Sequence, residues 1–334
     1  MSVSIGPLVS PDDAYEIDSA CMAHDRADLP IQSREVFAAR VTTPPAGHTS
    51  EYFLARLDGA PAGYLEMMYP QVDNLGNAHV ELLVTPPLRR RGVGRELYEV
   101  AVERARSQGR VRLLGQSVKQ PSNVGFAGAM GAQAGLEELR SRLDLREADQ
   151  GRYAAMLADA WTRADGYRLV QWSGVPPEEI IDDVAALDSS FLGEAPTGDL
   201  DWEPEVVDAE RIREGERSRV ARGRVTFHTG AMHGERLVAW TMMNCMADGG
   251  PHAWQSGTLV APAHRGHRLG LLIKLANLAY TRTFCPGVEV IDTFNATTNE
   301  HMLRINREMG YREVESDILW QRDLVRSDDA SAAR

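Results

Sequence analysis

The feature that most constrains this chain is an internal duplication. Residues 80–97 read VELLVTPPLRRRGVGREL, and residues 256–273 read SGTLVAPAHRGHRLGLLI. Val84 and Val260, Pro86 and Pro262, Arg89 and Arg265, and Gly94 and Gly270 each stand 176 positions apart. The register extends upstream, where LDGAPAGYLEMM (57–68) aligns with HGERLVAWTMMN (233–244). A period of half the chain is too long for a solenoid, whose repeats run to ~20–50 residues, so it specifies two similar globular domains. The length of 334 residues agrees, because one domain typically takes ~100–200.

Both halves carry the same order of elements. In the first, strands are expected at Val3–Val9, Tyr52–Arg56, Ala62–Met68, His79–Val84, Val111–Gln116 and Leu136–Leu145, with Asp58-Gly59 closing a hairpin. Helices are expected at Pro11–His24, near Ser33–Val41, at Val93–Ser107 and at Pro121–Met130. The second half repeats this with strands at Tyr167–Ser173, Val225–Thr229, Leu237–Asn244, Ala253–Val260, Val288–Phe294 and Tyr311–Gln321. Its helices are placed at Pro177–Leu187, Glu205–Arg219, Gly270–Thr283 and Asn299–Met309. The domains are expected at 1–148 and 165–324, joined by a helical linker at 149–164 and followed by a disordered tail at 325–334.

Composition excludes several classes of function. With 36 Lys and Arg against 48 Asp and Glu, the net charge is −12, the wrong sign for a nucleic-acid-binding face. Three dispersed cysteines, Cys21, Cys245 and Cys285, give no disulfide framework and no CxxC pair, which fits a reducing, cytoplasmic setting. The N-terminus lacks the basic and apolar regions of a secretion signal. The longest apolar stretch, Leu269–Ala279, is interrupted by Lys274 and Asn277, so no membrane span is expected. His228 and His233 lack metal-ligand spacing, no metal is expected, and no G-x-S-x-G elbow is present. The acidic stretch around Trp202 (Asp199, Asp201, Glu203, Glu205) is either a solvated face or an attraction for an amine.

The chemistry concentrates where a strand ends and a helix begins in each repeat. A loop such as Arg89-Arg90-Arg91-Gly92-Val93-Gly94 aims unpaired N–H groups at one point ahead of a helix N-terminus, and this favours an anion. Its arginines add cationic, forked donors. The spacing is neither G-x-x-x-x-G-K-[ST] nor G-x-G-x-x-G.

The pattern Val-x-Pro-x-x-Arg-x-x-Gly-x-Gly resembles the pyrophosphate loop of the GCN5-related N-acetyltransferase (GNAT) family. The two-domain layout is similar to mycothiol synthase and other actinobacterial two-domain acetyltransferases. The resemblance implies an α/β (α+β) chain of two tandem GNAT domains, each a mixed, mostly antiparallel sheet flanked by helices. It implies acetyl-CoA as acyl donor, entering a V-shaped gap between the fourth and fifth strands. Cofactor contacts then fall to Leu83, Val84, Arg89, Arg90, Arg91, Gly92, Val93, Gly94 and Arg95 in the first half. In the second they fall to Leu259, Val260, Arg265, Gly266, His267, Arg268, Leu269, Gly270, Leu271, Asn295, Asn299 and Asn306.

Glu81 stands where the family often places a general base, and position 257 in the second half is Gly. Asn306 stands where the family places the Tyr that protonates the leaving thiolate. An Asn cannot act as an acid there, though it can hydrogen-bond the thioester. Arg268 stands where the motif has Gly, whereas the first loop is intact. The intact loop points to catalysis in the first half; the likeness to mycothiol synthase points to the second. The expected acceptor is a small-molecule primary amine, such as an amino sugar, an amino acid derivative or an antibiotic-like metabolite. No nucleic acid or membrane partner is expected, and the chain is expected to be a monomer or homodimer. The alternatives are another acyl group, a carrier-protein thioester as donor, or a non-catalytic CoA-binding or dimerisation module in one or both halves.

Overall fold

A computed structural model describes residues 2–324; the tail expected at 325–334 lies outside them. The elements run β1 (Val3–Pro7), α1 (Pro11–Asp25), α2 (Arg34–Thr42), β2 (His48–Leu57), β3 (Ala60–Pro70), β4 (Asn77–Val84), α3 (Val93–Ser107), β5 (Arg112–Val118), α4 (Pro121–Ala129) and β6 (Gln133–Asp144). After α5 (Gln150–Trp161) the order recurs: β7 (Tyr167–Ser173), α6 (Ile181–Ser189), a short α7 (Phe191–Glu194), α8 (Ala209–Ala221), β8 (Arg224–His233), β9 (Arg236–Met246), β10 (His252–Val260), α9 (Leu269–Phe284), β11 (Val290–Ala296), α10 (Glu300–Met309) and β12 (Arg312–Asp323). The Asp58-Gly59 hairpin closes with both residues at positive φ (50° and 88°), as the twist of paired strands demands. The four-residue α7 had no periodic signal in the sequence.

Two compact units form, and each departs from the sequence halves in its last strand segment and in the placement of 198–201. Unit 1 comprises 2–137, 198–201 and 317–324; unit 2 comprises 138–197 and 202–316. The boundary drawn at 148 followed the chain, whereas each unit takes its last strand segment from the other half. In unit 1, β5 pairs antiparallel with Asp317–Asp323 of β12. In unit 2, β11 pairs antiparallel with Glu138–Asp144 of β6. The helix expected in the 149–164 linker is α5, a member of unit 2.

Buried charge holds each incoming strand. Asp317 is 1% exposed; it accepts from Arg26 Nη2 at 2.7 and 2.5 Å and from Gln116 Nε2 at 2.8 Å. Asp292, fully buried in unit 2, accepts from Arg140 Nη1 at 2.6 Å and from Arg142 Nε and Nη2 at 2.7 Å each. Burial opposes its charge, but Arg142, His252 and Arg140 outweigh this and hold the carboxyl well below the usual carboxylate range.

Helices cover both faces of each sheet. In unit 1, Ala14, Ile17 and Cys21 of α1 and Phe37 of α2 pack on Leu54 and Tyr64, while Val93, Leu97 and Ala101 of α3 pack on the opposite face with Leu65 and Met67. The alternation along β3 sends Tyr64 and Leu65 to opposite cores, as a two-residue period requires. Among the described residues, no helix is long and apolar enough to cross a membrane.

Candidate functional site: two gaps and two loops

In each unit a parallel strand pair opens into a gap. β4 and β5 pair over Asn77–Val80 with Arg112–Gly115, and beyond that β5 stays with β12 instead. The edge of β4 from Glu81 to Val84 is left facing an opening. In unit 2 the parallel pairing is shorter, His252–Trp254 with Val290–Asp292. There β10 carries a bulge between Gln255 and Thr258, and an extra residue bends a strand away from its neighbour.

Each gap leads to a loop that opens the following helix. Both loops share one backbone shape, with two left-handed residues separated by one. In unit 1 these are Arg90 (φ 64°) and Gly92 (φ 89°); in unit 2 they are Gly266 (φ 88°) and Arg268 (φ 56°). The same conformations recur 176 positions apart with Arg and Gly exchanged. The Arg268 substitution therefore leaves the loop shape intact, at the cost of about 1 kcal/mol for a side chain in that region. The helices α1, α2, α5, α8 and α10 are capped by Ser10, Ser33, Asp149, Asp208 and Asn299, whereas α3 and α9, like α4, α6 and α7, start with no side-chain cap. The first N–H groups of α3 and α9 lack a side-chain partner and point at the loop, as in a site for an anion.

The loops differ in what their arginines do. Arg89 braces the turn: it donates through Nε to Val84 O at 3.0 Å and pairs with Asp25. Arg90, Arg91 and Arg95 are exposed, and no ion pair ties them to the described residues. In unit 2, Arg265 is paired like its counterpart Arg89, and Gly266, His267 and Leu271 stand where unit 1 has Arg90, Arg91 and Arg95. Arg265 pairs with Glu194, Arg268 with Asp159 and Glu308, and His267 Nδ1 meets Arg163 O at 3.1 Å. Leu269 and Leu271 are core residues of α9. Gly94 and Gly270 lie in the first helical turn; an added Cβ would meet Phe126 at 3.4 Å and Ile305 at 3.3 Å respectively. Val93 is buried beside this turn, and Leu83 and Val84 lie half-buried along the open edge of β4.

The opposite face of the unit 1 gap is polar. Glu81 is exposed on β4, paired in register with Glu66. Behind them lies a network that sequence reading missed: Tyr64 Oη donates to Asp18 Oδ1 at 3.1 Å, Arg40 Nη2 donates to Tyr64 Oη at 3.0 Å, and Tyr52 Oη donates to Glu66 Oε1 at 2.7 Å. Burial, and the Glu81 charge, raise the Asp18 pKa despite Arg40. Asp18 on the inward stripe of α1 was its sequence signal, since a buried carboxylate demands a partner. The same face of unit 2 carries aromatic rings and one buried carboxylate, Glu216, which accepts from Thr226 Oγ1 at 2.6 Å. His228 lies between Trp172 and Trp240, with interplanar angles of 3° and 11°, and accepts from Trp240 Nε1 through Nδ1 at 3.1 Å. Burial lowers its pKa to about 3, so the ring is neutral. Tyr52 and Tyr64 stand 176 positions before His228 and Trp240.

Behind the unit 2 gap, Leu259 is buried and Val260 half-buried on β10. Asn306 is buried, donating through Nδ2 to Asn295 Oδ1 at 2.7 Å. Asn299 caps α10 by accepting from Met302 N at 3.3 Å. Asp201 of the acidic stretch belongs to unit 1, where Arg112 and Gln321 hold it. No cluster of His, Cys, Asp and Glu among the described residues could hold a metal ion.

The comparisons agree with this geometry. Residues 12–131 match the acetyltransferase (GNAT) family. A tandem GNAT protein from the clavulanic acid biosynthesis pathway, solved without acetyl-CoA, is 28% identical, covering 98% of this chain and 100% of its own at a TM-score of 0.79. A GCN5-related N-acetyltransferase from Sphaerobacter thermophilus is 16% identical, covering 97% and 96% at a TM-score of 0.70, a likeness of fold. No curated protein matches the chain. The chain therefore carries a GNAT-family acetyltransferase domain at residues 12–131 and folds as a tandem of two GNAT domains.

Proposed function

We propose that the protein transfers an acetyl group from acetyl-CoA to the primary amine of a small molecule, by direct attack with both substrates held at once, and that unit 1 is the transferring unit. The observation that carries this reading is the unit 1 gap: the open edge of β4 runs into a bare helix N-terminus beside the exposed Arg90 and Arg91, with Glu81 on the same strand. Arg90, Arg91 and the N–H groups from Gly92 to Gly94 would hold the pyrophosphate, and the edge from Leu82 to Val84 would receive the thioester arm. Bound acetyl-CoA supplies an activated acyl carbon. Glu81 takes a proton from the incoming ammonium, because only the neutral amine attacks. Three carboxylates, Asp18, Glu66 and Glu81, share this face with Arg40, and that surplus favours a cationic acceptor. Orientation in the ternary complex supplies the rest of the acceleration.

Unit 2 reads differently. Its loop arginines are paired, and Gly257 stands in the place of the base. These two observations favour a unit that holds acyl-CoA without transferring the acyl group.

The test is thiol release from acetyl-CoA with a panel of amines. Glu81→Gln is expected to lower kcat about 10²–10⁴-fold, with little change in KM for acetyl-CoA, and less at high pH where the amine is already neutral. Tight CoA binding with no amine-stimulated release would sink the reading; release only with a longer acyl-CoA or a carrier-protein thioester would reassign the donor.

A further inference from the structure

Lys274 has no place in the machinery described so far. It lies in the second turn of α9, 1% exposed, and among the described residues no carboxylate pairs with it. Its Nζ donates to Asn306 Oδ1 at 2.6 Å and lies 5.3 Å from the centre of the Tyr311 ring. An ammonium only donates, so the atom facing it must be the amide oxygen. That fixes the whole side chain, turning Nδ2 toward Asn295 Oδ1. One Nδ2 proton is used there; the second has no acceptor among the described residues. Asn295 lies on β11 beyond Asp292, the stretch no longer paired with β10 and hence on the margin of the gap. A buried donor with a proton to spare at that margin suits a carbonyl oxygen.

We infer that Lys274 is a positioning residue: it locks the Asn306 amide with its N–H outward, giving unit 2 a fixed donor for the thioester carbonyl of a bound acyl-CoA. This rests on reading the unit 2 gap as an acyl-CoA site. Unit 1 lacks the device, because Tyr98 stands 176 positions before Lys274 and packs edge-on against Phe126. Burial lowers the Lys274 pKa to about 7. The ionisable groups around the pair are Tyr311, Tyr153, whose hydroxyl donates to Met309 O, and Asp292, held by Arg140 and Arg142. Once neutral, the Lys274 amine can accept as well as donate, and the amide is free to flip.

The experiment is calorimetric titration of the full-length Gly94→Glu protein, in which unit 1 is blocked, with CoA and with acetyl-CoA. At pH 6 acetyl-CoA is expected to bind about fivefold tighter than CoA, the worth of one hydrogen bond, and the ratio should shrink by pH 8.5. Asn306→Asp still accepts from Lys274 but has no donor; its ratio of acetyl-CoA to CoA affinity should fall to about one. Lys274→Met should give an intermediate, pH-independent ratio. If Asn306→Asp keeps the parent ratio and pH dependence, the inference is overturned and the gap reading stands. If the Gly94→Glu protein binds neither nucleotide, the gap reading fails and the inference with it. Should Lys274→Met not fold, the Asn306→Asp ratio decides alone.

Discussion

The loops of the two units are left-handed at the same two positions, and the units differ in where they place charge. Unit 1 puts Arg at the first left-handed loop position and Gly at the second, and leaves Arg90 and Arg91 exposed; unit 2 reverses the order and pairs Arg265 and Arg268 with Glu194, Asp159 and Glu308. Opposite the gap, unit 1 has Asp18, Arg40, Glu66 and Glu81, whereas unit 2 has a Trp–His–Trp stack and one buried carboxylate, Glu216. The comparison teaches that a duplicated fold keeps its loop shape while its electrostatics drift. Shape alone does not tell a transferring unit from a holding one.

The exchanged strands extend the comparison. In the sheet registers, Asp317 opposite Val118 and Arg140 opposite Phe294 occupy equivalent places. Asp317 meets Arg26, and Arg140 meets Asp292. If each strand had returned to its own half, Asp317 would face Asp292 and Arg140 would face Arg26. Like charges buried together cost several kcal/mol, so the exchanged pairing is the one the charges permit.

The largest expected effect is on unit 2. Asp292→Asn leaves the buried Arg140 and the partly exposed Arg142 guanidinium groups short of an anion, and chemical denaturation should show a loss of about 3–5 kcal/mol. The effect of pH comes next. The folded pKa of Lys274 is about 7, below the unfolded value of about 10.4. Between these values the unfolded chain binds the extra proton, so stability should rise with pH by about 1.4 kcal/mol per unit at most. A Lys274→Met protein should lack this rise. Asp317→Asn should cost less than Asp292→Asn, about 1–3 kcal/mol, because one arginine rather than two loses its anion. Arg268→Gly should be nearly neutral in stability, since relief of the left-handed strain offsets the loss of two partly exposed ion pairs.

Much of this was legible in the sequence, for reasons that identify what was not. The 176-residue repeat and the loop spacing are local signals, and Val93–Ser107 and Tyr167–Ser173 form as their patterns require. Which half receives the strand ending at Asp144 or Asp323 depends on tertiary charge pairing, which no local pattern carries. The Asp18–Arg40–Tyr64 network joins residues up to 46 positions apart, and only the fold brings them together. Lys274 was visible as a cation in an apolar helix, but its role depends on Asn306, 32 positions away.

The most direct test of a transferring unit 1 and a holding unit 2 is amine-stimulated thiol release by Gly94→Glu beside Gly270→Glu. A carboxylate at either position opposes a pyrophosphate at its own loop. The account predicts that Gly94→Glu abolishes turnover, whereas Gly270→Glu retains it and loses one equivalent of bound CoA. Loss of turnover in Gly270→Glu with activity kept in Gly94→Glu would contradict it.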